Sequence, residues 1–371
     1  MKKRTKLITR YPLYQPEKTE ELFIDALKEL VHYHRIHNQD YRRILKEAGF
    51  HESQLRTMKD LELLPPITTL YLKKHKMYSV PKNKLVAVST SSGTRGSKSY
   101  VGYNAMGLWY SFLSACRIIK SHHLFSPIPT NYLILGYRFQ LRNQMAVART
   151  AFLATLLSPA LNRTYALLPN DNGGYYEDIE GAIKKLHKYS KQPFPIRIIG
   201  FPSYMYFLLH KLKDRKIRYK LPKNSKIILG GGWKQHSHEE VEKEVLYQLA
   251  YEVLGISEQN IHESFGAVEH PLLYFDCRNH HFHIPSYARV LVRDVRTLEP
   301  VPYGKPGILN FIAPIVDSMP IMSIMTDDIG ILHKGSECGC GCQAPYFEVL
   351  GRAGMEDIKT CTAGAAQILN Q

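Results

Sequence analysis

The chain has 371 residues and 44% hydrophobic content, enough to bury a large core as one big domain or two ordinary ones, so intrinsic disorder is excluded. Lys and Arg total 49 against 33 Asp and Glu, a formal charge of +16. That balance favours anionic partners such as nucleotide phosphates, carboxylates, an acidic protein face or nucleic acid, but it is spread along the chain and identifies none of them.

The basic start Met1-Lys2-Lys3-Arg4-Thr5-Lys6 leads into no continuous apolar run of the kind a signal peptide needs. No later stretch reaches about 18 uninterrupted apolar residues, so the expectation is a soluble, cytoplasmic protein without an integral membrane segment. Phe23, Ala26, Leu27, Leu30 and Val31 fall at helical spacing, and Asn38 to Ala48 continues in the same style until Gly49. The first 80 residues read as a helical lead. Residues 81–350 change to short apolar runs separated by amphipathic stretches: Leu85–Val88, Tyr132–Leu135, Ile196–Ile199, Ile227–Leu229, Val290–Val292 and Ile308–Ile312. That alternation predicts an α/β core, with 351–371 as a short C-terminal tail.

The run Leu85–Val88 opens into Ser89-Thr90-Ser91-Ser92-Gly93-Thr94-Arg95-Gly96-Ser97-Lys98-Ser99. Gly93 and Gly96 allow sharp turns that point several N–H groups at one anion, with hydroxyls as further donors and Lys98 as charge. A Walker loop needs Gly before its Lys, where this chain has Ser97, so a kinase or GTPase is disfavoured. The plainer alternative is a polar hairpin tip. Two further runs end in glycine, at Gly200-Phe201-Pro202-Ser203 and Gly230-Gly231-Gly232-Trp233-Lys234, each expected before a helix. Ligands of open α/β sheets collect at such strand ends.

Four of the six cysteines lie between Cys277 and Cys342. Cys277 and His283, with His280 and His281 between them, precede Cys338-Gly339-Cys340-Gly341-Cys342. Thiolate and imidazole suit tetrahedral Zn²⁺, two ligands from each of two loops. The alternative is three reduced cysteines in a glycine-rich turn. A nucleic-acid zinc finger is disfavoured, because the helix-borne histidine pair and a basic stripe with interleaved aromatics are missing.

Glu263-Ser264-Phe265-Gly266-Ala267-Val268-Glu269, Met325-Thr326-Asp327-Asp328-Ile329-Gly330, Gly351-Arg352 and Asp357-Ile358-Lys359 complete the motifs. With the Ser/Thr/Gly loop they stand in the order used by adenylate-forming enzymes. The strings Thr90-Ser91-Ser92-Gly93-Thr94, Gly200-x-Pro202, Gly230-Gly231-Gly232-Trp233-Lys234, Pro302-x-Gly304-x-Pro306-Gly307 and Thr326-Asp327-Asp328-x-Gly330 resemble more narrowly the acyl-protein synthetase family, the long-chain-fatty-acid luciferin-component ligases, over almost the whole chain. A weaker likeness to phenylacetate–CoA ligases runs through the same motifs.

The resemblance implies an adenylation domain that uses ATP and Mg²⁺ to activate a fatty acid as acyl-adenylate. The acyl group then passes to a cysteine of the enzyme and on to a reductase protein, in a hetero- or homo-oligomeric state that is left open. In that scheme Thr90, Ser91, Ser92, Gly93, Thr94 and Gly96 hold the β- and γ-phosphates and Lys98 adds charge. Gly230, Gly231 and Gly232 face the adenine, with Phe265 and Gly266 beside it; Glu269 holds Mg²⁺, and Asp328 and Arg352 take the ribose. Cys361 matches the acylated cysteine, with Lys359 near enough to lower its pKa.

Only 20 residues follow Gly351, so the expectation is that the large C-terminal domain of full adenylate-forming ligases is missing, and the hinge roles of Asp357 and Lys359 are left open. The phenylacetate–CoA ligase likeness selects Cys277, His283, Cys338 and Cys340 as metal ligands, a structural Zn²⁺ site which the luminescence synthetases lack. The competing readings are a CoA ligase and a catalytically silent, zinc-stabilised binding protein.

Overall fold

The computed structural model describes residues 2–91, 98–140, 145–171, 173–233 and 240–352. Two compact units emerge. One takes its described residues from Met1–Gly93, Ser97–Ile118 and Gly266–Gln371, the other from Thr94–Gly96 and Ile119–Phe265.

The first unit begins with the expected helices: α1 (Lys2–Thr9), α2 (Glu20–His37) and α3 (Gln39–Glu47). Glu20 and Glu21 lie in the first turn of α2 and His34, Arg35 and His37 in its last, complementing the helix dipole. The Asn38 side chain then caps α3 by accepting from the Tyr41 N–H at 2.9 Å. The helical lead has one interruption, β1 (Ile67–Thr68), which leads directly into α4 (Thr69–Lys74). Two residues carry too little pattern to be read as a strand. The hairpin β2 (Ala87–Thr90) and β3 (Tyr100–Tyr103) follows, and then α5 (Ala105–Ser121).

The second unit is a parallel α/β sheet. Its elements are β4 (Thr130–Tyr137), α6 (Ala146–Ala154), β5 (Ala160–Pro169), β6 (Tyr175–Glu177), α7 (Ile179–Ser190), β7 (Ile196–Gly200), α8 (Pro202–Asp214), β8 (Lys226–Gly230), α9 (Lys243–Leu254) and β9 (Ile261–Ala267). Within this unit the order is β9-β8-β7-β4-β5-β6, parallel except for the β5–β6 pair. Leu133, Leu135, Ile196, Ile198, Ile227 and Leu229 project from one face onto Leu186, Leu208, Leu209 and Leu246 of the helices. Truncating a fully buried member such as Leu208 to Ala would cost about 2–5 kcal/mol. Helix α8 starts with Pro202 at its first position, as the Gly-x-Pro string anticipates. The first helix described after Gly230 is α9, which begins at Lys243; residues 234–239, where the expected helix would start, lie outside the described residues.

Back in the first unit, the remaining described strands are β10 (His270–Phe275), β11 (Phe282–His283), β12 (Arg289–Arg293), β13 (Pro306–Ile312), β14 (Ser323–His333) and β15 (Tyr346–Arg352). Five of them form the antiparallel sheet β11-β15-β14-β13-β12, and β1 pairs in parallel with β14 through Ile67↔Ile324 and Thr68↔Met325. That pairing is the reason α4 sits beside the Thr326-Asp327-Asp328 string.

Candidate active site

In the first unit the hydroxyl-rich loop rises from a hairpin rather than from a strand that feeds a helix. Thr90 pairs with Tyr100, the Ser91 N–H donates to the Ser99 carbonyl at 3.3 Å, and the Ser99 N–H donates to Ser91 Oγ at 3.0 Å. Thr90 is buried and Lys98 exposed. Ser92, Gly93, Thr94 and Gly96 lie outside the described residues, as does Cys361.

Glu269 is 5% exposed in the turn before β10. Burial pushes its carboxyl pKa up, and Ser99 and the Lys73 charge pull it only partly back. An acid held this dry needs a cation to carry its charge. Asp327 and Asp328 are adjacent on β14, so their side chains leave on opposite faces. Asp327 is spent on α4: Thr69 Oγ1 donates to it at 2.5 Å and Lys73 Nζ at 3.2 Å. Asp328 is 8% exposed and directly opposite Arg352 on β15, whose Nε donates to it at 3.2 Å. Burial pushes Asp328 up, opposed by Arg352 and by the Thr326 hydroxyl. The two residues assigned to the ribose, 24 positions apart in the chain, are thus brought together. Thr69, Lys73 and Ser99 were missed from the sequence. Only the capping position of Thr68 before Thr69 hinted at α4.

The second unit holds the glycine run. Gly230 ends β8 opposite Ser264, whose Oγ donates to the Leu229 carbonyl at 3.0 Å; a Cβ on Gly230 would lie 2.4 Å from that oxygen. Gly231 and Gly232 have φ of 83° and 64°, two successive left-handed residues that expose bare backbone at the carboxyl end of the strand. Trp233 then turns inward, 7% exposed, with its ring centroid 5.6 Å from that of Tyr206. Phe265 lies on β9 next to Ser264 and is half-buried, with Gly266 exposed after it.

The cysteine–histidine cluster closes in the first unit. The ligand atoms of Cys277, His283, Cys338 and Cys340 all lie within 4.8 Å of one another. His283 Nδ1 donates to the Ala344 carbonyl at 2.7 Å, which leaves Nε2 as the acceptor facing Cys338 Sγ at 3.3 Å and Cys340 Sγ at 3.1 Å. Backbone N–H groups of Asn279 and Cys342 point at the sulfurs of Cys277 and Cys340, both at 3.4 Å. Gly339 and Gly341 have φ of 72° and 95°, the turns that fold the Cys-Gly-Cys string around one centre. Burial and the neighbouring thiols hold Cys338 up at about 12, and burial pushes His283 down. Three thiols and an imidazole so gathered are a donor set that could hold a metal ion. His281 Nδ1 also approaches Cys338, at 3.2 Å.

The family model for acyl-protein synthetase, LuxE, matches residues 8–370. The chain belongs to the acyl-protein synthetase family. It is 25% identical over 360 residues to the long-chain-fatty-acid–luciferin-component ligase of Aliivibrio fischeri, covering 96% of this chain and 90% of that protein. It is 25% identical to the phenylacetate–coenzyme A ligase of Thermus thermophilus, covering 89% of this chain and 70% of that one. Among solved structures it is similar to 2-hydroxyisobutyryl-CoA ligase, captured with 2-HIB-AMP, at a TM-score of 0.66 and 17% identity over 91% of this chain and 68% of that one. The fold is that of the adenylate-forming ligases, and this family member is an ATP-dependent acid ligase.

Proposed function

We propose that the chain activates a long-chain fatty acid and carries it as a thioester on Cys361 for delivery to a partner reductase. The observation that carries this reading is the family match over 8–370, which includes Cys361. The Asp328–Arg352 pair and the buried Glu269, at motif positions of adenylate-forming ligases, support it.

In the first half-reaction a fatty carboxylate oxygen attacks the α-phosphorus of ATP, the bond to pyrophosphate breaks, and acyl-AMP forms. Thr90, Ser91, Ser92, Gly93, Thr94 and Gly96 cradle the phosphates with Lys98 adding positive charge. Glu269, buried at 5% exposure, would hold Mg²⁺, which would supply charge neutralisation at the phosphates. Gly230, Gly231 and Gly232 present bare backbone to the adenine beside Phe265 and Gly266, and Asp328 accepts from the ribose hydroxyls while Arg352 orients it. In the second half-reaction the Cys361 thiolate attacks the acyl carbonyl and AMP leaves. Cys277, His283, Cys338 and Cys340 would hold a structural Zn²⁺ joining β11 to the loop that leads into β15, the strand bearing Arg352.

Incubation with ATP, Mg²⁺ and labelled fatty acids should give a covalent label that hydroxylamine releases and that Cys361→Ser lacks. Pyrophosphate exchange without that label would instead favour CoA as acceptor, the activity in the name of the Thermus relative.

A further inference from the structure

The second unit carries a row of cations that the adenylation chemistry does not use. Arg163 on β5, Tyr132 on β4, Arg197 on β7 and Lys226 on β8 are successive register partners across the parallel sheet, so their side chains leave on one face. It is the face opposite the Leu133, Ile196, Ile198 and Ile227 core. Arg197 is 3% exposed, yet its Nη1 has no hydrogen-bond partner, and its polar neighbour is Tyr132. Lys226 is half-buried, its Nζ 3.5 Å from Asn260 Oδ1, and burial and the Arg197 charge lower its pKa. Among the described residues no carboxylate pairs with either cation. A stranded guanidinium beside a second cation is costly, and an anion is what relieves it.

A cavity of about 650 Å³ opens at the same end of the sheet. Its walls are apolar, from Phe125, Leu156, Leu157 and Pro159, and its polar members include Ser158 and Arg163. Phe125 and Leu156 are 49% and 57% exposed, large apolar groups left facing outward. Ser158 joins cavity to row: its Oγ is 2.6 Å from the Tyr132 hydroxyl. An apolar trough that ends in buried, uncompensated positive charge matches an amphipathic anion, with the tail in the trough and the head on the cations.

We infer that this trough binds a long-chain carboxylate, its head group held by Arg197 and Arg163 and its tail lying along Phe125, Leu156 and Leu157. The site lies at the amino ends of β4, β7 and β8, whereas Gly200 and Gly230 to Gly232 stand at or beyond the carboxyl ends of β7 and β8. It requires a carboxylate and no nucleotide, so it stands apart from the adenylation reading, and a chain that forms no acyl-adenylate would still show it.

The test uses the full chain without ATP and a hexadecanoic acid carrying a diazirine near its methyl end, with cross-links mapped by peptide mass spectrometry. Adducts are expected in Phe125–Pro127 and Leu156–Arg163, falling by about tenfold or more in Arg197→Met and Arg163→Gln. Arg197→Met should also raise the Tm of the ligand-free chain, because it removes a stranded charge, while abolishing the Tm gain that hexadecanoate gives the wild type. A purely structural arginine would lower the Tm instead. Arg163→Gln, at an exposed position, supplies the cross-linking readout even where Arg197→Met misfolds. The inference is overturned by adducts confined to other segments, by variants that retain wild-type labelling, or by inorganic phosphate giving the Arg197-dependent Tm gain where hexadecanoate gives none.

Discussion

Asp328→Asn separates a ligand-binding carboxylate from a structural brace. The Asp328 side chain is 11% exposed and its partner Arg352 56% exposed, so their 3.2 Å pair is open to solvent on one side and is worth about 0–1 kcal/mol to folding. Asparagine keeps the volume and one acceptor oxygen, and it relieves the burial that pushes the Asp328 pKa up. The fold should therefore change in stability by less than about 1 kcal/mol. A carboxylate that accepts from ribose hydroxyls is different, because each charge-assisted hydrogen bond contributes about 1.5–3 kcal/mol. Losing one such bond should raise the KM for ATP roughly 10- to 150-fold. ATP–pyrophosphate exchange at saturating fatty acid measures the KM, and calorimetry the Tm. A Tm lowered by several degrees with an unchanged KM would refute the reasoning and leave Asp328 as a cross-strand brace.

Glu269→Gln should abolish exchange yet raise the Tm of the ligand-free chain at neutral pH. The folded carboxyl pKa is raised, so its stabilising contribution is present below the unfolded value of 4.5 and is lost as pH rises through the folded one. The Tm advantage should vanish near pH 4, and a variant no more stable than wild type at pH 7 would contradict the assignment. His34, His122 and His270 are pushed down by burial to about 3, 4 and 3. The unfolded chain takes up their protons near pH 6.5, so stability should fall as pH drops below that value, by up to about 1.4 kcal/mol per pH unit for each. Glu269 and Asp328 oppose this only where the folded state protonates them; denaturant midpoints that are equal at pH 7 and pH 5 would count against it. Metal analysis should find one zinc per chain, lost in Cys340→Ser, and chelation should lower the Tm by roughly 10 °C or more. A metal-free chain of unchanged Tm would identify the cluster as reduced thiols.

Strands β4, β7 and β8 of the parallel sheet and β12 and β13 of the first unit's sheet were legible because buried strands of a covered sheet are runs of Ile, Leu and Val, as in Ile196–Ile199 within β7, whereas β5, β6, β9, β11, β14 and β15 carry no such run that was read. The candidate metal ligands were legible because cysteines and histidines are rare and their chemistry narrow, and the four selected are the four that converge. Other features left no local trace. The strand β1 exists through its pairing with β14, and Thr69 and Lys73 face Asp327 through that pairing. The row of Arg163, Arg197 and Lys226 was invisible for the same reason, each cation standing alone in its own segment.

Residue order by itself determined the α/β class, the helical lead, the motif sequence and the donor set for a metal, since each depends on neighbours a few positions apart or on residue types with one dominant chemistry. Only the tertiary structure decided how the two adjacent aspartates are partnered. On β14 the alternation of side chains sends Asp327 to Thr69 and Lys73 of α4 and Asp328 to Arg352 of β15, and the partners that divide the two roles come from segments hundreds of residues, and then a few tens of residues, away.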